Sequence, residues 1–571
     1  MKARDLLKEP HNAGIKDSAP DWDYSNGFGG TGDAQVSHLQ LLLPSQRQIT
    51  QLVEYHLDCI LWYHSCFHGP TFWQELLDVS KGPSGLQIRN MDLRWAALLF
   101  SVMAGSMTCA SEQLTSSWGF QKADRVKLTK QWYKATVSCL NLADYMWRHH
   151  IWSVEAVGTL TMSAHVLGFS NTQSVLLGAV YKIAQGLGLQ KLGPEVDPPV
   201  SEITAAVRDK IIKREAGRRL WGQLCCQDWF GLPFSEMYSI RQLHYTTTKP
   251  LNVDDQTMAQ LPEEIPTIVS FGNYLFDIAA LMPQMHDAIV SSNTLYTKYD
   301  QVREYDMRMR DLATNGLPFF FSMREAIDPK WPPFVAWARR SITICLAHKI
   351  IMIHRNFLGR SFTEPAFDLT RRTCIAAAKT ILKEARQAYD EEGPMLWIDQ
   401  AFMVAAGITL ALDIFHRKDT EIEYEEHRKL VENTISLLGK FEGSMIGQRG
   451  VRLLSTLLTE QARLKADETL ENFRKRSRDG EVIGGHAKRQ KFDVPKFVES
   501  FVGSDTFTQS LRTQFRGREP ATELFEPDPG NVSERENTSA DLGYETFEQL
   551  FPPQAGFSNT FLFEDLLNFN I

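Results

Sequence analysis

VLLGAVYKIAQGLGLQKLG, residues 175–193, is followed after a polar spacer by EAGRRLWGQLCCQDWFGL, residues 215–232. In the first segment Leu176, Val180, Ile183, Ala184 and Leu187 recur at the 3.6-residue period, and the GLG at residues 186–188 supplies a C-terminal stop. The second reads as another amphipathic helix. Leu220, Leu224 and Cys225 face a core, and Glu215 and Arg219 stand four apart in the favourable order for an ion pair. The same period runs outward from Leu41 to about Phe473. It is interrupted by loops near residues 81–84, 194–199, 249–264, 315–333 and 391–394. No succession of alternating β-branched runs builds a sheet, so the expected fold is all-α: one large helical domain over 41–473, between disordered N-terminal (1–40) and C-terminal segments.

The chain has 571 residues, 43% of them hydrophobic, which is ample for a large core. Its net charge of −8 argues against a nucleic-acid coat and leaves room for a local basic patch. The N-terminus shows no apolar core of a secretory signal. Two uncharged stretches, residues 95–110 and 156–181, raise the question of membrane spans. The first is too short, and the second carries His165, Asn171, Thr172 and Gln173, so both read as core helices and no membrane partner is expected. Eight cysteines (Cys59, Cys66, Cys109, Cys139, Cys225, Cys226, Cys345, Cys374) all fall in apolar helical stretches, as small buried side chains of a reducing compartment do.

Catalytic and cofactor anchors are largely missing. There is no H-E-x-x-H, no G-x-S-x-G and no Walker-type loop. The G-x-G-x-x-G at residues 27–32 has no strand before it, and a dinucleotide site needs a strand-turn-helix context. His64 and His68 are four apart around Cys66, but no further metal ligand is placed. His149 and His150 read as a loop before the Trp152 helix. Asp58 and Asp228, in apolar surroundings, would have raised pKa values or pair with an arginine of a neighbouring helix. No catalytic, cofactor-binding or metal site is therefore assigned.

The pattern of Ala184, Leu187, Gly188 and Leu189, then Glu215, Arg218, Arg219, Trp221 and Asp228, resembles the middle homology region of fungal zinc-cluster transcription factors. Three further segments resemble that family in the expected order: residues 43–76 with the turn His68-Gly69-Pro70-Thr71-Phe72, HKIIMIHRNFL at 348–358, and TRRTCIAAAKTIL at 370–382. The resemblance covers roughly residues 43–469 and implies an α-helical regulatory domain whose motif core is Glu215, Arg218, Arg219, Trp221 and Asp228. Two departures stand out. The family's "GRP" after the Asp228 helix is absent, with Ser235-Glu236-Met237 in that neighbourhood. The six-thiolate zinc cluster, which opens on a C-x2-C pair, is not found either.

Beyond Phe473, residues 474–500 form a basic linker. Arg474, Lys475, Arg476 and Arg478, then Lys488, Arg489 and Lys491, flank a Gly-containing spacer in the layout of a bipartite nuclear import signal. The same charges would also suit a solvated linker closing the last helix. The charge then inverts: residues 519–571 carry eleven acids against Arg535 alone, a net charge of −10. In this tail, Phe547, Leu550 and Phe551, and again Phe563, Leu566 and Leu567, stand at i, i+3 and i+4. Acidic-hydrophobic segments of this kind serve as activation tails that fold into a coactivator groove. The alternative is a tail that folds back on its own domain. The expected domain order is thus 1–40, 41–473, 474–500 and an activation tail over 501–571.

These readings converge on a nuclear transcription regulator, not an enzyme, and the family resemblance implies that it activates a metabolic or secondary-metabolite gene set. Coactivators, an import carrier and a DNA-binding partner or second copy would be its partners, with DNA contacted weakly or indirectly. The competing expectation is a helical small-molecule sensor or enzyme with a pocket among Trp221, Trp229 and Phe230.

Overall fold

The computed structural model describes residues 31–82, 85–194, 204–391, 393–478 and 492–503. Eighteen α-helices follow one another among them. They are α1 (Thr31–Leu41), α2 (Gln46–Cys59), α3 (Leu61–His64), α4 (Gly69–Val79), α5 (Leu93–Cys109) and α6 (Glu112–Ser117). Next come α7 (Lys122–Leu142), α8 (Ile151–Leu167), α9 (Ser170–Gly186), α10 (Ala205–Ser235), α11 (Ser270–Val290) and α12 (Leu295–Thr314). The last are α13 (Phe334–Ser361), α14 (Asp368–Asp390), α15 (Trp397–Phe415), α16 (Ile422–Leu438), α17 (Met445–Arg478) and α18 (Val494–Gly503). The described residues contain no strand, and Val253 and Gln260 make an isolated bridge. The all-α expectation holds.

Local chemistry sets the helix ends. Ser45 and Gln48 form a capping box at α2, Asp92 caps α5, and His150 caps α8 by accepting the Trp152 N–H. α9 stops as its sequence indicates: Gly188, two residues past its end, takes φ +80°, which a glycine adopts without steric cost. The 156–181 stretch is two helices, α8 and α9, broken at Gly168.

The chain divides into two compact units, with the boundary at Ser455/Thr456 inside α17. In the first unit α5 packs on α8, α7 and α2, while α13 to α16 pack in sequence and α10 lies on α11. α5, α8 and α15 are buried on nearly every side, so they carry apolar residues all round. α15 is long and apolar enough to cross a membrane, but 89% of its apolar window is buried within the fold, as in a core helix. Seven of the eight cysteines are buried, and all eight are free thiols. In the second unit Leu457 and Gln461 of α17 are buried, as are Phe497, Val498 and Phe501 of α18.

Three features fall across the expected boundaries. α1 starts at Thr31, inside the segment expected to be disordered. The first unit ends at Ser455, short of the expected Phe473. The basic linker contains the start of α18, whose Asp493 accepts the Lys496 N–H. Residues 1–30 and 504–571 lie outside the described residues, as do Lys488, Arg489 and Lys491 of the second basic cluster and both tail motifs. Arg474, Lys475, Arg476 and Arg478 fall on the last turns of α17.

Candidate functional site

The motif core of α10 forms a buried electrostatic clamp. Thr204 caps the helix by accepting the Val207 N–H, and its middle turns carry Glu215, Arg218 and Arg219, each at most 2% exposed. Glu215 Oε1 accepts from Arg214 Nε at 2.9 Å and Arg218 Nη1 at 2.8 Å, while Oε2 accepts the Leu251 N–H at 2.9 Å. Arg218 turns its remaining donors to the carbonyls of Leu192 and Gly193, at 3.3 and 2.5 Å. Arg219 reaches Asp255 through both terminal nitrogens, at 2.9 and 2.5 Å. This two-point geometry is the strong form of the arginine–carboxylate pair. The expected Glu215–Arg219 pair does not form. A loop thirty-six residues away places Asp255 over Arg219, and Glu215 is taken by Arg214 and Arg218.

Two loops are stitched to α10 by this clamp. Gly217 lets the 189–193 turn lie against the helix, since a Cβ there would meet Leu192 Cδ1 at 2.7 Å. That turn pairs with residues 246–248 through Thr246 N–H to Gln190 O and Thr248 N–H to Leu192 O. Thr247 Oγ1 accepts the Leu192 N–H and donates to Leu189 O. His68, the N-cap of α4, joins from the opposite side. Its Nε2 donates to Asp255 O at 3.0 Å, and its Nδ1 accepts the Thr71 N–H. The His68 turn and the α10 motif, 147 to 160 residues apart in sequence, thus meet at Asp255. The downstream segments also meet: His354 Nδ1 lies 2.9 Å from Thr370 Oγ1.

The other titratable residues singled out by sequence have structural partners. His64 pairs with His56, Nε2 to Nε2 at 2.8 Å, and not with His68. His64 Nδ1 accepts the Cys66 N–H, so its Nε2 carries the proton and donates. Burial lowers the pKa of both imidazoles, to about 3 for His56. Asp228 accepts the backbone N–H groups of Ser239 and Ile240 instead of an arginine, and burial outweighs these bonds and raises its pKa. It therefore closes the α10 exit loop. Burial also raises Asp58. Sequence reasoning missed Asp413, which is fully buried and receives Arg371 Nε at 2.6 Å, Arg417 Nε, and His427 Nδ1 at 2.8 Å. Burial pushes its pKa up, but those donors outweigh it and hold it near 2.

A cavity of about 100 Å³ opens beside the clamp, between α10, the start of α11 and residues 245–250. Trp221 lines it edge-on to Tyr245, with ring centroids 5.6 Å apart. The expected aromatic pocket is realised in part. Trp229 is buried, with its Nε1 on Ile240 O and its ring on Phe276, and Phe230 lies under the Lys349 ammonium at 3.9 Å from the ring centroid.

No protein-family model matches the chain. Among curated proteins it is 24% identical over 447 residues to the agnestins biosynthesis cluster transcription factor AgnL11 of Paecilomyces divaricatus, covering 75% of this chain and 63% of that protein. It is 22% identical over 394 residues to the probable transcription factor lepB of Aspergillus flavus, covering 65% and 66%. It is 24% identical over 344 residues to the Zn(2)-C6 fungal-type transcription factor pigI of Monascus ruber, covering 57% and 39%. The chain therefore spans between two-fifths and two-thirds of the length of these relatives. The similarity is distant and partial, and it runs to proteins named as transcription factors and not as enzymes.

Proposed function

We propose that this chain is a regulator of transcription of the fungal type, acting in the nucleus on a secondary-metabolite or other metabolic gene set. The observation that carries the reading is the partial similarity, over most of the helical domain, to transcription factors of which one is named for a biosynthesis cluster. The clamp fits a structural part in such a protein. Its ion pairs and bonds to backbone groups lock the 189–193 turn, the 246–255 loop and the His68 turn onto α10. In this account DNA is reached through a partner chain, a second copy, or a DNA-binding segment outside this sequence. The basic clusters around Lys475 and Arg489 serve import, and the acidic tail recruits a coactivator. Deleting the gene and sequencing total RNA tests the reading. A coordinated fall in a linked set of metabolic transcripts is expected, and an unchanged transcript profile under producing and non-producing growth rejects it.

A further inference from the structure

We propose that the turn after α7 and the adjoining face of α9 form a docking surface for an acidic segment of a partner protein, anchored by a leucine or phenylalanine side chain. The turn is fixed from within. Asp144 takes φ +51°, and its carbonyl accepts the Trp147 and Arg148 N–H groups, both at 2.8 Å. Tyr145 is buried, and His149 lies over Gly186 of α9, with its Nδ1 2.9 Å from where a Cβ would stand. The other ring nitrogen, Nε2, donates to Met146 O at 3.1 Å. A turn held this firmly nonetheless presents Met146 and Trp147 to solvent, 65% and 82% exposed. Met, Trp and Arg are enriched where proteins meet, and here they stand in a row at residues 146–148.

The neighbouring helix extends the surface. Val175, Gly178, Lys182 and Gly186 make one exposed stripe along α9. Gly178 sits inside the helix, where glycine is destabilising relative to alanine, and a Cβ there would meet nothing within 4 Å. The fold itself does not require this glycine, which leaves room for a partner to lie close. Charge selects that partner. α9 contains no Asp or Glu, and Asp144 is the one acid of the turn. Among the described residues Arg148 and Lys182 form no ion pair, nor do Lys127 and Lys134 on the exposed side of α7. Such a cationic face is complementary to an acidic segment. A second copy would set the same cations against one another across a two-fold axis. A nucleic-acid face would be more polar and more densely cationic than one carrying Met146, Trp147 and Val175.

The surface would dock its partner whatever genes the chain controls, so it does not depend on the regulatory reading. The probe is a fluorescein-labelled helical peptide of Ala, Glu and Leu, with leucines at i, i+3, i+4 and i+7 and glutamates on the opposite side. Fluorescence anisotropy is read on the full chain with Lys475, Arg476, Lys488 and Arg489 changed to alanine, which removes the basic linker as a competing site. Saturable one-to-one binding is expected at or below about 100 µM. Trp147→Ala should weaken it at least roughly tenfold. Arg148→Glu with Lys182→Glu should weaken it as much, and a peptide with Lys in place of Glu should not bind. Gly178→Gln, which fills the open side of the stripe, should also weaken it. All four positions are exposed, so these variants keep the fold. No saturable binding by the parent would overturn the proposal, as would equal binding by the parent and the variants. Two further results would also overturn it: duplex DNA that binds the parent and displaces the peptide, or a dimer in sedimentation that Trp147→Ala dissociates, since a second copy would then cover the face.

Discussion

Replacing Glu215 by alanine should release the 246–255 loop from α10. The side chain accepts three hydrogen bonds, two of them from guanidinium groups, with both Glu215 and Arg218 1% exposed. Breaking one partner out of a buried ion pair costs about 3–5 kcal/mol. Arg218 keeps the carbonyls of Leu192 and Gly193, which places the loss near the lower end, about 3 kcal/mol. A loss of that size raises the local opening equilibrium on the order of 100-fold, at about 1.4 kcal/mol per tenfold. The Leu251 amide reports it directly, because its hydrogen-bond acceptor is Glu215 Oε2. Hydrogen exchange with mass-spectrometric readout should show peptides over 246–258 exchanging about two orders of magnitude faster in Glu215→Ala. Glu215→Gln should lie between the two, because its amide can serve the arginines with oxygen but then turns N–H toward the Leu251 N–H. Unchanged protection of the Leu251 amide in Glu215→Ala would refute the clamp.

The pH dependence carries two further expectations of opposite sign. Burial lowers His165 from 6.5 to about 4, so its contribution is complete above pH 6.5 and is lost as pH falls toward 4. His165→Phe keeps the contact on Trp397 and should flatten the acid limb of a urea-unfolding series by up to about 1.4 kcal/mol per pH unit. Glu155 behaves in reverse: burial, with Glu75 second, raises it to about 8, so stability is lost as pH rises from 4.5 toward 8. Glu155→Gln should match the parent near pH 4 and gain over it as pH rises, and a pH-independent difference would contradict this. Gly450→Ala should cost about 1–3 kcal/mol, because the added methyl would overlap the stiff Val404 side chain. Thermal unfolding checks it. Replacing Lys475, Arg476, Lys488 and Arg489 by alanine should hold a tagged chain in the cytoplasm, as fluorescence imaging would show.

Much of the helical architecture was legible in the sequence because burial imposes its period. Leu176, Val180, Ile183 and Ala184 are buried on α9, as are Leu220, Leu224 and Cys225 on α10. The partners of charged residues were not legible. Nothing local to Arg219 indicates Asp255, and nothing local to Glu215 indicates the Leu251 amide, because loop closure across the fold supplies both. Asp228 was misjudged for a related reason, since a buried carboxylate can be satisfied by backbone N–H groups as well as by an arginine. α18 was readable and missed. Val494, Phe497, Val498 and Phe501 follow i, i+3, i+4 and i+7 behind the capping Asp493, but the basic run before them dominated the reading.

The most direct test of the regulatory account fuses residues 474–571 to a heterologous DNA-binding domain and measures reporter transcripts, normalised to protein abundance. The account predicts strong activation that collapses when Phe563, Leu566 and Leu567 become alanine, because most of the apolar area offered to a coactivator, at about 25 cal/mol per Å², is removed. Replacing Glu564 by Gln and Asp565 by Asn should reduce output far less, since exposed charge mainly assists encounter. A parent fusion no more active than the DNA-binding domain alone would contradict the account.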